Sequence, residues 1–121
     1  MLEHTFVAVK GIRTHVTSGG SGTSLVLVHG LGGPLVWQRV FEPLAKEFAF
    51  CSIDLPGFGE TDCPSHSFSS RDYVFFLHQF LQQQGVQSAI LVGVSYGGQI
   101  AAEYAERFPE LVEKLVLISS T

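Results

Sequence analysis

Gly93-Val94-Ser95-Tyr96-Gly97 is a G-x-S-x-G run, the pattern expected where a serine must act as a nucleophile. A serine hydroxyl is weak in that role unless the backbone projects it toward a base and a substrate. Projection calls for a sharp, strained turn, in which side chains two residues to either side would collide with the neighbouring strand and helix. Glycine at 93 and at 97 removes both side chains. The N–H of Tyr96 would then stand at a helix N-terminus, where unpaired donors and the helix dipole favour a developing oxyanion. A second donor must come from another segment. The letters alone arise by chance in about 4% of chains of this length, so the flanking elements have to decide.

Those elements are legible. Ala89-Ile90-Leu91-Val92 is an apolar strand directly before the run. Tyr96 to Phe108 follows as an amphipathic helix, with Ile100, Ala101, Tyr104, Ala105 and Phe108 inward and Pro109 beyond it. Upstream, Thr5 to Lys10 and Ile12 to Thr17 flank Gly11 as an antiparallel hairpin, and Ser18-Gly19-Gly20-Ser21-Gly22 reads as a turn. Leu25 to Val28 is apolar on both faces, as a strand covered on both sides should be. Between Trp37 and Phe48 a crossover helix is expected, with Val40, Phe41, Leu44 and Phe48 on one face and Pro43 starting or kinking it. Phe48 to Ile53 is the next strand. Ser69 or Ser70 caps a helix through Gln84, on which Val74, Leu77 and Leu81 align and which Gly85 ends. Leu115 to Ile118 closes the series, within a sixth strand running from Lys114 to Ser119.

Alternating strands and helices with short connections predict an α/β fold. It has a mostly parallel sheet of about six strands, an N-terminal antiparallel hairpin and flanking helices. Ligands on such sheets bind at the carboxyl ends of the strands. Two further loops lie at that edge, His29-Gly30-Leu31-Gly32-Gly33 and Asp54-Leu55-Pro56-Gly57-Phe58-Gly59.

At 121 residues the whole chain is expected to be one domain. With 45% apolar and 15% charged residues, it should bury a core. A net charge of -4 without a basic run makes nucleic acid and anionic membranes poor partners. No stretch approaches the roughly 18 apolar residues of a membrane span, and Met1 to Thr5 does not begin a secretory signal, so a cytoplasmic protein is expected. Cys51 and Cys63, far apart and without metal-ligand spacing, read as free thiols. No metal or cofactor is expected.

Taken together the three loops resemble the α/β-hydrolase family over essentially the whole chain. His29-Gly30 is similar to the family's oxyanion motif, which implies that Leu31 supplies the second backbone N–H beside Tyr96. Asp54 to Gly59 is similar to its D-x-P-G-x-G loop, with Glu60-Thr61 after it. The resemblance implies that Ser95 is the nucleophile of an esterase-like hydrolase, with a small ester- or amide-like substrate. It gives His29 a role in shaping its loop and Gly30, Gly57, Gly93 and Gly97 structural roles. Asp54 is expected to cap its loop through side-chain to backbone bonds.

His4, His15, His66 and His78 have no partner motif and are assigned to surface or packing positions. Trp37 and Tyr96 either line an acyl pocket or pack. In the family the triad acid and base follow the sixth strand, and this chain stops at Ser119-Ser120-Thr121, so both are expected to be missing. A complementing C-terminal half, or self-association through the bare sixth strand, is the partner this implies. Two other readings stay open: a catalytically inactive short form acting as a binding module, and a non-hydrolytic member of the family.

Overall fold

The computed structural model describes residues 2–119; Met1, Ser120 and Thr121, the last two belonging to the chain end considered above, lie outside the described residues. Strands β1 (Leu2–Val9) and β2 (Ile12–Gly19) turn on Lys10-Gly11, whose φ angles of 50° and 80° are both left-handed. Two such residues give the tight turn whose twist matches a hairpin, and Val9 therefore pairs with Ile12 and Leu2 with Gly19. The strand runs past the expected Thr17, since Ser18 and Gly19 pair with Cys51 and Phe50 rather than turning.

Strands β3 (Ser24–Val28), β4 (Ala49–Ile53), β5 (Ala89–Val94) and β6 (Val112–Ile118) complete a six-stranded sheet in the order β1-β2-β4-β3-β5-β6. Pairings β1·β2 and β2·β4 are antiparallel and the others parallel. Side chains alternate between faces along a strand, so the apolar runs serve two cores. On one face Val26, Val28, Ile53 and Leu91 pack beneath α2 (Ser70–Gln83) and α3 (Tyr96–Arg107). On the other, Leu25, Leu27, Phe50, Ile90 and Val92 pack against Trp37, Phe41 and Leu44.

The expected crossover helix over Trp37 to Phe48 is not one helix. Pro34–Val40 is a 3₁₀ segment, and α1 is the single turn Phe41–Ala45. Pro43 cannot donate to the carbonyl of residue 39 and its ring would strike it, so a continuous helix is blocked; in the first turn of a new helix the missing N–H costs nothing. Phe48 falls in neither element and packs against the core from the connection.

Helix α2 starts at a reciprocal capping box: the Ser69 side chain accepts from the Asp72 N–H, and the Asp72 carboxylate from the Ser69 N–H. It ends at Gly85 (φ 73°), where Val86 N–H reaches Leu81 O (3.0 Å) and Gly85 N–H reaches Gln82 O (3.1 Å), a Schellman pair. Its buried face is wider than the expected stripe, adding Tyr73, Phe76 and Phe80.

Strand β6 starts earlier than its apolar run, at Val112, because a register shift carries the pairing from Ala89↔Val112 to Ile90↔Lys114. Leu115, Val116, Leu117 and Ile118 are 38%, 42%, 47% and 42% exposed. Consecutive residues of a strand face opposite ways, so both faces of β6 are open along with its outer edge.

Neighbouring strands β3 and β5 send their following helices to opposite faces of the sheet. The crevice between their carboxyl ends is the topological switch point where α/β sheets bind ligands. The His29 and Ser95 loops both start there.

Candidate active site

Ser95 links β5 to α3 with φ 55° and ψ -123°, a region that side chains other than hydrogen rarely occupy. Backbone bonds hold the turn on both sides. Ser95 N–H donates to Ile118 O on β6 (3.0 Å), and Ser95 O accepts from Gly98 N–H (2.9 Å) to start the helix. A serine at a helix N-cap usually bonds to the first turn, but the Ser95 hydroxyl makes no cap bond, and the residue is exposed. Its oxygen is left for something other than the helix.

The two glycines are required by close approach. A methyl group on Gly93 would run into the Gly97 carbonyl oxygen and lie 2.7 Å from the Gly98 Cα. One on Gly97 would strike the carbonyl oxygens of Val28 and His29. The strand before the serine can therefore meet the helix after it, and that helix the end of β3, only without those side chains.

Gly30 brings the second loop against the first. A methyl there would sit 3.1 Å from the Ser95 Cβ and 3.2 Å from the Tyr96 nitrogen. Tyr96 is the first residue of α3, so its N–H has no acceptor within the helix. The Gly30 carbonyl accepts from Gly33 N–H (3.0 Å) and from His29 Nδ1 (2.7 Å). In a trans peptide the N–H points away from the preceding C=O, so these two bonds aim the Leu31 N–H in the opposite direction. The Leu31 side chain stands 71% exposed outside the turn.

His29 is fully buried and both ring nitrogens are engaged. Leu55 N–H can only donate, so Nε2 accepts it (3.0 Å), and Nδ1 carries the proton given to Gly30 O. Burial lowers the imidazole from its ordinary value, against opposing contributions from the Gly30 bond and the Asp54 charge. No lone pair remains for the Ser95 hydroxyl, which keeps His29 out of the role of base.

Asp54 does cap its loop, accepting Glu60 N–H at Oδ2 (3.0 Å). It has a second partner that sequence reasoning assigned to surface or packing. His15 is buried, with Nδ1 3.0 Å from the same Oδ2, its own N–H donating to Thr61 Oγ1 (2.9 Å) and its carbonyl accepting Asp54 N–H (3.0 Å). The pair is set by the sheet: Val16 pairs with Ile53 at the end of the β2·β4 ladder, and His15 and Asp54 are the next residues along. A polar residue on the strand adjoining a buried carboxylate was the available signal, but it needed the strand order.

His4 stacks on His15 with ring centroids 5.4 Å apart. His66 is exposed, and His78 stacks on Phe108 at 3.9 Å. Trp37 is buried in the α1-side core, and its indole N–H has no partner among the described residues. Tyr96 meets Tyr73 edge to face at 6.1 Å, and burial raises its phenol. Gly57 takes φ 89° in the turn after Pro56. Cys51 is pushed up to about 12 by burial and Cys63 is exposed; neither is in a disulfide. Among the described residues no group of three or more His, Cys, Asp and Glu side chains is placed to hold a metal, and no helix is long and apolar enough to cross a membrane.

A family model described as "alpha/beta hydrolase fold" matches residues 23–121. An uncharacterized protein of Mycobacterium tuberculosis is 34% identical over 116 residues, which are 95% of this chain and 34% of that protein. The pimeloyl-[acyl-carrier protein] methyl ester esterase of Pectobacterium carotovorum is 35% identical over 106 residues, 87% of this chain and 40% of the esterase. Among solved structures, the epoxide hydrolase CorEH superposes with a TM-score of 0.94 at 28% identity, covering 99% of this chain and 43% of that one. The chain thus spans about a third to two fifths of the length of these relatives.

Proposed function

Since the chain belongs to the α/β-hydrolase family, we propose that it is the nucleophile-bearing portion of a serine hydrolase acting on ester-like acyl substrates. Ser95 attacks the acyl carbon, and the N–H groups of Leu31 and Tyr96 receive the oxyanion. The carrying observation is the left-handed backbone of Ser95, uncapped and exposed between Gly93 and Gly97, with Gly30 against its Cβ.

The relatives' names point to two chemistries, epoxide opening and ester hydrolysis. A serine at position 95 favours the second. Attack by its oxygen on an epoxide carbon would leave an ether on the enzyme, which water does not cleave under mild conditions. Attack on an acyl carbon leaves an ester, which a second water can hydrolyse.

A base for Ser95 is not supplied by His29, whose nitrogens are committed, nor by His15, which is bound to Asp54. We assign the acid and base to a complementing C-terminal half. The exposed apolar side chains of β6 support the same reading, since Leu115, Val116 and Leu117 offer a surface to such a half or to a second copy of this chain. A reducing, cytoplasmic setting is in keeping with the two free thiols.

Labelling with a fluorophosphonate probe tests the proposal. The chain mixed with a family-type C-terminal half should label at Ser95 and turn over a short-chain ester, while the chain alone should show little activity. Labelling that survives in Ser95→Ala would remove Ser95 from the mechanism. No labelling in any mixture would favour a binding module built on the same fold.

A further inference from the structure

The buried His15–Asp54 pair has no part in the roles assigned above, yet it begins a run of hydrogen bonds that ends beside Ser95. We propose that His15 is a positioning residue which, acting through Asp54, Leu55 and His29, sets the turn that carries the Leu31 N–H. This rests on the reading of Ser95 as nucleophile and Leu31 as oxyanion donor.

An ionised carboxylate can only accept hydrogen bonds, so His15 donates from Nδ1 to Asp54 Oδ2. Asp54 is tied to His15 again through its N–H, and its carbonyl accepts from Thr61 Oγ1 (2.6 Å), which itself takes the His15 N–H. Side chain, N–H and carbonyl of Asp54 are thereby fixed by one residue and its bridging threonine. The backbone of Asp54 in turn sets where the next N–H points. That N–H, of Leu55, is the donor that holds His29 Nε2, and His29 Nδ1 holds the Gly30 carbonyl. Gly30 O and Leu31 N–H belong to one rigid peptide plane, so the last bond of the run aims the proposed donor. A second contact runs in parallel: Gly59 lies so close to the Asp54 carboxylate and Pro34 that a methyl on it would be 2.9 Å from the proline Cγ.

His15 is open to influence at its other nitrogen. Nε2 faces His4 Nδ1 at 3.3 Å and Glu60 Oε2 at 3.9 Å, while Thr17 Oγ1 lies 3.3 Å from the same His4 nitrogen. Phe6 lies 5.1 Å from the His15 ring, and the Arg13 guanidinium lies 3.6 Å above the Phe6 centroid. Beyond His4 and His15 is a cavity of about 570 Å³ that Gly32, Gly33, Pro34 and Glu60 also line, so the pair and the turn after Gly30 border one space.

The test is NMR on the ¹⁵N-labelled chain. In His15→Leu the amide shifts of Leu31 and Leu55 should both move from their wild-type positions, while in His15→Asn, which retains a side-chain N–H near the place of Nδ1, they should stay close to the wild type. A Leu31 amide that does not move in His15→Leu, or that moves equally in the two variants, overturns the proposal. Fluorophosphonate labelling of Ser95 with the C-terminal half present should slow about tenfold in His15→Leu and less than about threefold in His15→Asn, a fraction of what loss of an oxyanion donor costs. Equal losses in the two variants would mean that the donor to Asp54 is irrelevant. If the wild type fails to label, the nucleophile reading falls, and the NMR arm still decides whether His15 controls the turn. If His15→Leu does not fold, Thr61→Val, which removes the hydroxyl bridging His15 N–H to Asp54 O, should move the same two amides, and unmoved amides overturn the proposal.

Discussion

Replacing Ser95 by glycine should stabilise the chain while removing the proposed nucleophile. At φ 55° and ψ -123° a residue with a Cβ is held in a sparsely populated region, at a cost of about 1–3 kcal/mol. Glycine enters that region freely but loses about 0.5–1 kcal/mol more backbone entropy on folding. At mid-range the balance favours glycine by about 1 kcal/mol. Ser95→Ala is the control, because alanine keeps the Cβ and therefore the strain, and the serine makes no cap bond whose loss would confuse the comparison. For a chain of this size each kcal/mol moves Tm by about 3–6 °C. Urea unfolding followed by far-UV circular dichroism, extrapolated to water, gives the difference directly. Ser95→Gly should exceed Ser95→Ala by the amount above, and both should be blind to the fluorophosphonate probe. Equal stability of the two variants, or a less stable glycine variant, would refute the claim that this turn stores strain.

Gly97→Ala should cost at least about 3 kcal/mol, the upper end of ordinary overpacking, because its methyl meets two backbone carbonyls that cannot move aside; an unchanged urea midpoint would show that the end of β3 does not abut α3. His29 is held below its ordinary value, so the unfolded chain binds more protons; the stability it contributes is full above about pH 6.5 and is lost as pH falls toward the lowered folded value. The stability gap between wild type and His29→Gln should accordingly narrow between pH 7.5 and 5, and a gap that widens on acidification has the wrong sign for this account. Leaving a few hundred Å² of apolar β6 surface wet forgoes several kcal/mol at roughly 25 cal/mol per Å², so the isolated chain should self-associate in sedimentation. Leu117→Lys should shift it toward monomer, and a wild type already monomeric at high concentration would contradict the edge as a contact surface.

The parts of the molecule that could be read from the sequence are those decided by local pattern. The apolar strands at Leu25–Val28 and Ala89–Val92, the glycine ending α2 and the G-x-S-x-G turn depend on residues within a few positions of one another, and the structure has them in place. The crossover after β3 was misread because the period of Val40, Phe41, Leu44 and Phe48 was helical, while Pro43 broke the hydrogen-bond path that a periodicity argument does not see. Strand β6 begins at Val112, two residues before the expected Lys114, because Glu113 interrupts the apolar pattern and the pairing of Val112 with Ala89 follows only from the register shift against β5. The His15–Asp54 pair was out of reach for a different reason. Its members are far apart in the chain and become neighbours only through the antiparallel placement of β2 beside β4, a choice no local rule dictates. The same holds for Gly30 against Ser95, although there the resemblance of two loops to one family's motifs supplied the connection.

The bond from Ser95 N–H to Ile118 O also places the elbow in time. On a ribosome the chain emerges from its N-terminus, and the strands that flank β5 do not arrive together: β3 is already made, β6 is not. Until β6 emerges, the strained turn lacks its bond to Ile118 and is held only by the bonds that Ser95 O accepts from α3. A nascent chain of this design would hold the Ser95 turn less firmly until its edge strand is laid down. Stalled chains of increasing length, assayed with the family-type C-terminal half, should take the fluorophosphonate probe only after Ile118 has left the exit tunnel.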